Sequence, residues 1–134
     1  MERSEDVTSR RRVLVVEDNP KNLKLVRDVL TYHGFEVVEA TTGEEGVRLA
    51  AQVAPDLVLM DLQLPGIDGT EALRRLRAAE STRSVPVVAV TAFAMDDDRE
   101  RALASGFDGY VEKPISVRAL PHQVEDFLGL GDVG

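Results

Sequence analysis

Four apolar runs in this 134-residue chain stop at residues that can coordinate, donate or accept. Val13-Leu14-Val15-Val16 leads into Glu17-Asp18, Leu57-Val58-Leu59-Met60 into Asp61, and Val87-Val88-Ala89-Val90 into Thr91, while a fourth run closes at Lys113-Pro114. If the runs are strands of one parallel sheet their ends meet, because ligands bind such sheets at the carboxyl ends of the strands. Three carboxylates, a hydroxyl and an ammonium gathered there are the chemistry of a magnesium-assisted phosphoryl acceptor. Glu17 and Asp18 supply the hard oxygens that magnesium prefers, beside the anionic centre they share with Asp61. Without a cation, three crowded carboxylates would repel and raise a pKa. Lys113, one of only three lysines among 16 basic residues, offers a compact positive charge that can pair with a phosphoryl oxygen.

The elements that must position these residues are visible in the hydrophobic pattern. Short β-branched runs near 13–17, 36–40, 57–61, 87–91 and 108–112 alternate with segments of helical period near 20–33, 43–52, 69–79, 96–105 and 117–128. Asn19 can cap a helix that has Pro20 at its first position, and Thr42 and Asp68 each have a Glu three residues on, as in a capping box. Gly34 and Gly106 stand where helices should stop. Near-continuous apolarity at 57–60 and 87–90 marks strands covered on both faces, so an α/β fold with a parallel sheet and right-handed crossovers is expected. A polar arm over residues 1–10 and a glycine-containing tail over 129–134 should be flexible, with one domain over 11–128 between them.

Composition narrows the function. The chain is long enough for one domain with a real core but too short for an added effector domain, so output is expected through another protein. A formal net charge of -8 opposes direct nucleic-acid binding. The absence of cysteine removes disulfides, thiolate metal sites and thiol nucleophiles. The first 12 residues lack the apolar run of a signal peptide and no stretch approaches a membrane span, so a cytoplasmic protein without membrane insertion is expected. Gly43 and Gly46 stand without the Lys-Ser/Thr of a nucleotide-binding loop, and His33 and His122 are placed for neither metal nor phosphohistidine chemistry.

The segments 13–19, 56–69, 90–92 and 111–114 together resemble the receiver domain of bacterial two-component response regulators, over about residues 11 to 128. The runs Thr91-Ala92-Phe93-Ala94-Met95 and Lys113-Pro114-Ile115-Ser116 are most similar to single-domain regulators of the DivK type. The resemblance implies a flavodoxin-like (βα)5 three-layer sandwich whose five-stranded parallel sheet has order 2-1-3-4-5. It makes Asp61 the phosphoacceptor and Lys113 and Thr91 its partners in phosphoryl transfer. Magnesium, with manganese as a substitute, would be held by Asp18, Asp61 and the backbone carbonyl of Gln63 directly and by Glu17 through water. Thr91 and Tyr110 would form the switch, and the Lys113-Pro114 bond would be cis. Implied partners are a sensor histidine kinase or histidine phosphotransfer protein upstream and a kinase or adaptor protein downstream, with the chain a monomer or weak dimer acting in a cell-cycle or developmental relay. Such a protein is a phosphoacceptor switch that assists its own phosphotransfer and dephosphorylation, not a metabolic enzyme.

Two other readings compete. A phosphorylation-independent adaptor of the same fold would tolerate loss of the Asp, Lys or acidic pair, yet all are present; a hydrolase or flavin protein of this architecture would want a phosphate-cradling loop that is missing. Leu120, Val124, Phe127 and Leu128 read as the core stripe of the last helix. Pro121 departs from that helix, and a distorted or late start is expected, with Pro121 in the first turn.

Overall fold

The computed structural model of the chain describes residues 10–92 and 96–129, so nearly all of the expected arm and tail, and the run Phe93-Ala94-Met95, lie outside the described residues. Strands β1 (Arg12–Val16), β2 (Glu36–Ala40), β3 (Leu57–Asp61), β4 (Val87–Thr91) and β5 (Gly109–Glu112) alternate with helices α1 (Pro20–Tyr32), α2 (Gly43–Val53), α3 (Gly69–Ala78), α4 (Asp96–Ala104) and α5 (Leu120–Phe127). Every pairing is parallel and the order is β2-β1-β3-β4-β5, the flavodoxin-like (βα)5 arrangement.

Side chains on a strand alternate between faces, and the core divides accordingly. Val13, Val15, Leu57, Leu59, Val88 and Val90 pack under α1 and α5 with Leu23, Val26, Leu30, Leu120 and Val124. Leu14, Val16, Val58, Met60 and Ala89 pack under α2, α3 and α4 with Ala50, Leu73, Leu76 and Ala102. Strands β3 and β4 are buried at all five positions, which accounts for their uninterrupted apolarity. Each fully buried Leu, Met or Val contributes about 1.5–3 kcal/mol, so these two layers dominate the stability.

The helix starts follow their capping signals, but both glutamates of the expected capping boxes take other partners. Asn19 Oδ1 accepts from the Lys21 and Asn22 amides at 2.9 and 3.1 Å. Thr42 Oγ1 and Asp68 Oδ1 each accept the amide three residues on. Neither box closes reciprocally: Glu45 reaches back to the amide of Thr41 rather than Thr42, and Glu71 pairs with Arg74 and Arg75 instead. Gly34 and Gly106 end α1 and α4 at φ of +94° and +110°, values a side chain would resist.

The last helix starts late, as the proline requires. Ser116 Oγ accepts from the Ala119 amide and the Leu120 amide reaches the Ser116 carbonyl, forming a turn, but Pro121 has no N–H to offer Val117. Regular helix therefore begins at Leu120 rather than 117, with buried Pro121 in its first turn. Phe127 then packs against Gly109, where a Cβ would overlap its ring.

Two arginines tie the amino ends of the strands together. Arg12, opening β1, pairs with Glu36 at the start of β2 at 3.3 Å and hydrogen-bonds the Val53 carbonyl, while its amide donates to Asp56 just before β3. Arg77 of α3 donates to the Arg83 and Val85 carbonyls before β4 and to Asp108 Oδ2 before β5, and Asp108 also accepts the Val87 amide.

Candidate functional site

At the opposite, carboxyl ends of the strands the sequence-expected residues converge. Asp61 is the last residue of β3 and is 3% exposed. Its Oδ1 accepts the backbone N–H of Gln63 at 2.9 Å and its Oδ2 accepts from Lys113 Nζ at 2.9 Å. Glu17 follows β1 directly, is also buried, and places Oε1 3.2 Å from the same ammonium while Oε2 accepts the Asn19 amide at 3.0 Å. Asp18 stays exposed, yet one oxygen of each of Glu17, Asp18 and Asp61 lies within 4.8 Å of the others. The Lys113-Pro114 bond is cis.

Strand register explains why residues up to 96 positions apart meet. Val16 pairs with Met60, so Glu17-Asp18 and Asp61 leave neighbouring strands at one level. Asp61 pairs with Val90, so Thr91 lies one residue beyond it, and Thr91 pairs with Glu112, next to Lys113. The Lys113 amide also donates to the Thr91 carbonyl at 2.8 Å. Thr91 is buried, and Tyr110, paired with Ala89 in register, is half-buried against the α2–α4 layer.

The electrostatics differ in one respect from simple carboxylate crowding. Burial is the main cause that pushes the Glu17 carboxyl above its ordinary range, partly offset by the Asn19 N–H; repulsion from Asp61 adds to the rise and Lys113 opposes it. The repulsion read from the sequence is present, and burial acts ahead of it because the Glu17 side chain is 5% exposed. For Lys113 burial acts downward, and the hydrogen bond and charge of Asp61, then Glu17, outweigh it and hold the ammonium above its ordinary value. Lys113 is therefore charged at neutral pH.

The donor set fits a hard divalent cation. All three side-chain donors are carboxylates, and with one ammonium they leave two net negative charges when ionised, the charge such an ion balances. Exposed Asp18 leaves one side open to water, which magnesium retains in its shell. The Gln63 backbone is at the site through its bond to Asp61.

Two contributors were given no role from the sequence, although Gly69 closes the segment 56–69 that carries the resemblance. Gly69 opens α3 against the strand end, where a Cβ would stand 2.6 Å from the Asp61 carbonyl oxygen and 2.9 Å from Leu62 Cα. Only a residue without a side chain lets the helix close there. Arg99 of α4 lies with its guanidinium 4.6 Å from the centroid of the Tyr110 ring.

Residues 13–125 match the model of the response regulator receiver domain. The chain is 44% identical over 117 residues to the polar-differentiation response regulator DivK of Brucella ovis, covering 87% of this chain and 95% of that protein, and 43% identical to DivK of Brucella anthropi over the same span. Among solved structures it resembles the receiver domain of sensor histidine kinase PA1611 from Pseudomonas aeruginosa, described with a magnesium ion coordinated in its active site cleft, at 36% identity and a TM-score of 0.82 over 90% of this chain and 99% of that one. It also resembles the BeF3-activated receiver domain of Klebsiella pneumoniae RstA, at 30% identity and a TM-score of 0.80 over 88% of this chain and 98% of that one. Acidic cluster, sheet order and matched sequence agree, and the chain belongs to the response regulator receiver domain family.

Proposed function

We propose that Asp61 is the phosphoacceptor, receiving the group from a histidine of a sensor kinase or histidine phosphotransfer protein. One observation carries this reading: the ammonium of Lys113 bridges buried Asp61 and Glu17 at 2.9 and 3.2 Å at the carboxyl end of the sheet. In the transfer an Asp61 carboxylate oxygen forms the new bond to phosphorus, the phosphorus–nitrogen bond of the donor breaks, and the imidazole leaves with the electron pair. Lys113 exchanges its contact with Asp61 for one with a phosphoryl oxygen, and the Thr91 hydroxyl donates to another. The Gln63 N–H orients the carboxylate by holding Oδ1. Asp18, Asp61 and the Gln63 carbonyl would hold magnesium directly, with Glu17 acting through water. Bound magnesium, or manganese in its place, neutralises charge on the transferring oxygens.

The output follows from the same exchange. Drawing Thr91 toward the phosphoryl group gives Tyr110 room to turn inward, and the surface of α4, β5 and α5 changes with it, a shift of population between two packings. Similarity to DivK supports a cell-cycle or developmental relay in which that surface is read by a downstream kinase or adaptor. Among the described residues no helix is long and apolar enough to cross a membrane; a cytoplasmic site of action accords with partners of this kind. Incubation with a phosphoryl donor and magnesium should add one phosphoryl group to the wild type and none to Asp61→Ala, read by intact mass. Equal labelling of the two proteins would overturn the assignment.

A further inference from the structure

We infer that Arg99 is a positioning residue that holds Tyr110 in its half-buried place and thereby sets how readily the chain takes up a phosphoryl group; the inference rests on the switch reading above. Arg99 is in the first turns of α4 and Tyr110 is in β5, so their contact joins the two elements that flank the α4–β5 surface. The guanidinium carbon lies 4.6 Å from the ring centroid, within the range where the negative face of an aromatic ring attracts a cation. Arg99 makes no ion pair among the described residues, whereas its neighbour Arg101 is drawn to Asp98 at 2.6 Å. Among the described residues the ring face is the partner found for this cation.

Arg99 is exposed and the ring is half-buried, so the attraction is modest, but it acts on one ring position only. An inward turn of Tyr110 carries the ring away from the exposed guanidinium on α4. Any ligand that favours the inward position must then work against this contact, and removing the contact strengthens that ligand by the same factor. An exposed cation–ring contact corresponds to about two- to fivefold.

The test uses beryllofluoride with magnesium as the phosphoryl mimic, titrated into the full chain and followed by backbone amide resonances, with thermal melting measured in its absence. Arg99→Ala should bind the mimic about two- to fivefold more tightly than the wild type while melting no higher. In a Tyr110→Ala background the same substitution should change binding by less than its effect alone, because there is no ring left to hold. Unchanged or weaker binding by Arg99→Ala would overturn the inference, as would a gain that persists in full without Tyr110. Failure of the wild type to bind, or equal binding by Asp61→Ala, is a separate result that removes the receiver reading and the inference with it.

Discussion

Gly69→Ala is the most demanding test of how the fold holds the phosphoacceptor. The added Cβ would meet the Asp61 carbonyl oxygen at 2.6 Å, and Leu62 Cα and Cδ2 at 2.9 and 3.1 Å. Two of these atoms are backbone at the end of a fully buried strand, so no side-chain rotation relieves the overlap. Ordinary contact begins at 3.4 Å, which requires α3 and the strand end to separate by about 0.8 Å. Overpacking of this kind costs about 1–3 kcal/mol. Against it stands the better helix propensity of alanine, at most about 1 kcal/mol. With the full offset the net loss is up to about 2 kcal/mol, a fall in Tm of up to about 8 °C for a domain of this size. The Asp61 carboxylate moves with its backbone, and a displacement approaching 1 Å at a reacting atom slows transfer by roughly ten- to a hundredfold. Gly34→Ala is the matched control. It has φ of +94° but nothing within 4 Å of the added atom, and it lies at the far end of α1, so it should lose about 1 kcal/mol and keep the wild-type labelling rate. Urea denaturation and timed intact-mass labelling read both quantities. A Gly69→Ala protein that accepts phosphoryl groups as fast as Gly34→Ala would refute the argument that close approach at this glycine positions the site.

The acidic cluster makes two further predictions. Because the folded state raises the Glu17 pKa above 4.5, the ionised carboxylate carries a cost that is absent below that pH and complete once the pH exceeds the folded value. In chelator, Glu17→Gln should therefore gain on the wild type as the pH rises from below 4.5 to 7, and a difference in urea stability that is flat or falls over that range would contradict burial as the main cause. Asp18→Asn, altering an exposed donor, should bind magnesium about 10–100-fold more weakly yet stay within about 0.5 kcal/mol of the wild type in chelator. Full metal affinity in a magnesium titration would remove Asp18 from the ligand set.

Much of this arrangement is legible in local pattern because the pattern and the burial coincide. Residues 36–40, 57–61 and 87–91 form strands with the expected bounds, and the last two runs end at Asp61 and Thr91, polar residues that are buried only with partners. Glu17, Asp18, Asp61 and Lys113 could be grouped from strand ends alone, because parallel register brings such ends to one level. What escaped was any contact lacking a sequence period. Nothing near Gly69 announces that a carbonyl will press on it, nothing near Arg99 points to a ring 11 residues later, and Arg77 looks like one more solvent-facing arginine of α3. The cause of the Glu17 shift escaped for a related reason: a charge count shows repulsion, whereas the loss of water is known only once the neighbours are placed.

Arg12 and Arg77 fasten the strand starts, whereas the strand ends are joined through Lys113, whose contact with Asp61 is exchanged during transfer, so the chain has an anchored pole and a reactive pole. Amide hydrogen exchange should be slowest near the arginines and fastest around Lys113 and the turn after Asp61. Replacement of the reactive-pole loops between related chains would then exchange partners without refolding the body. The same separation means that a mutation which silences signalling and one which lowers cellular abundance should fall at opposite ends of one small sheet.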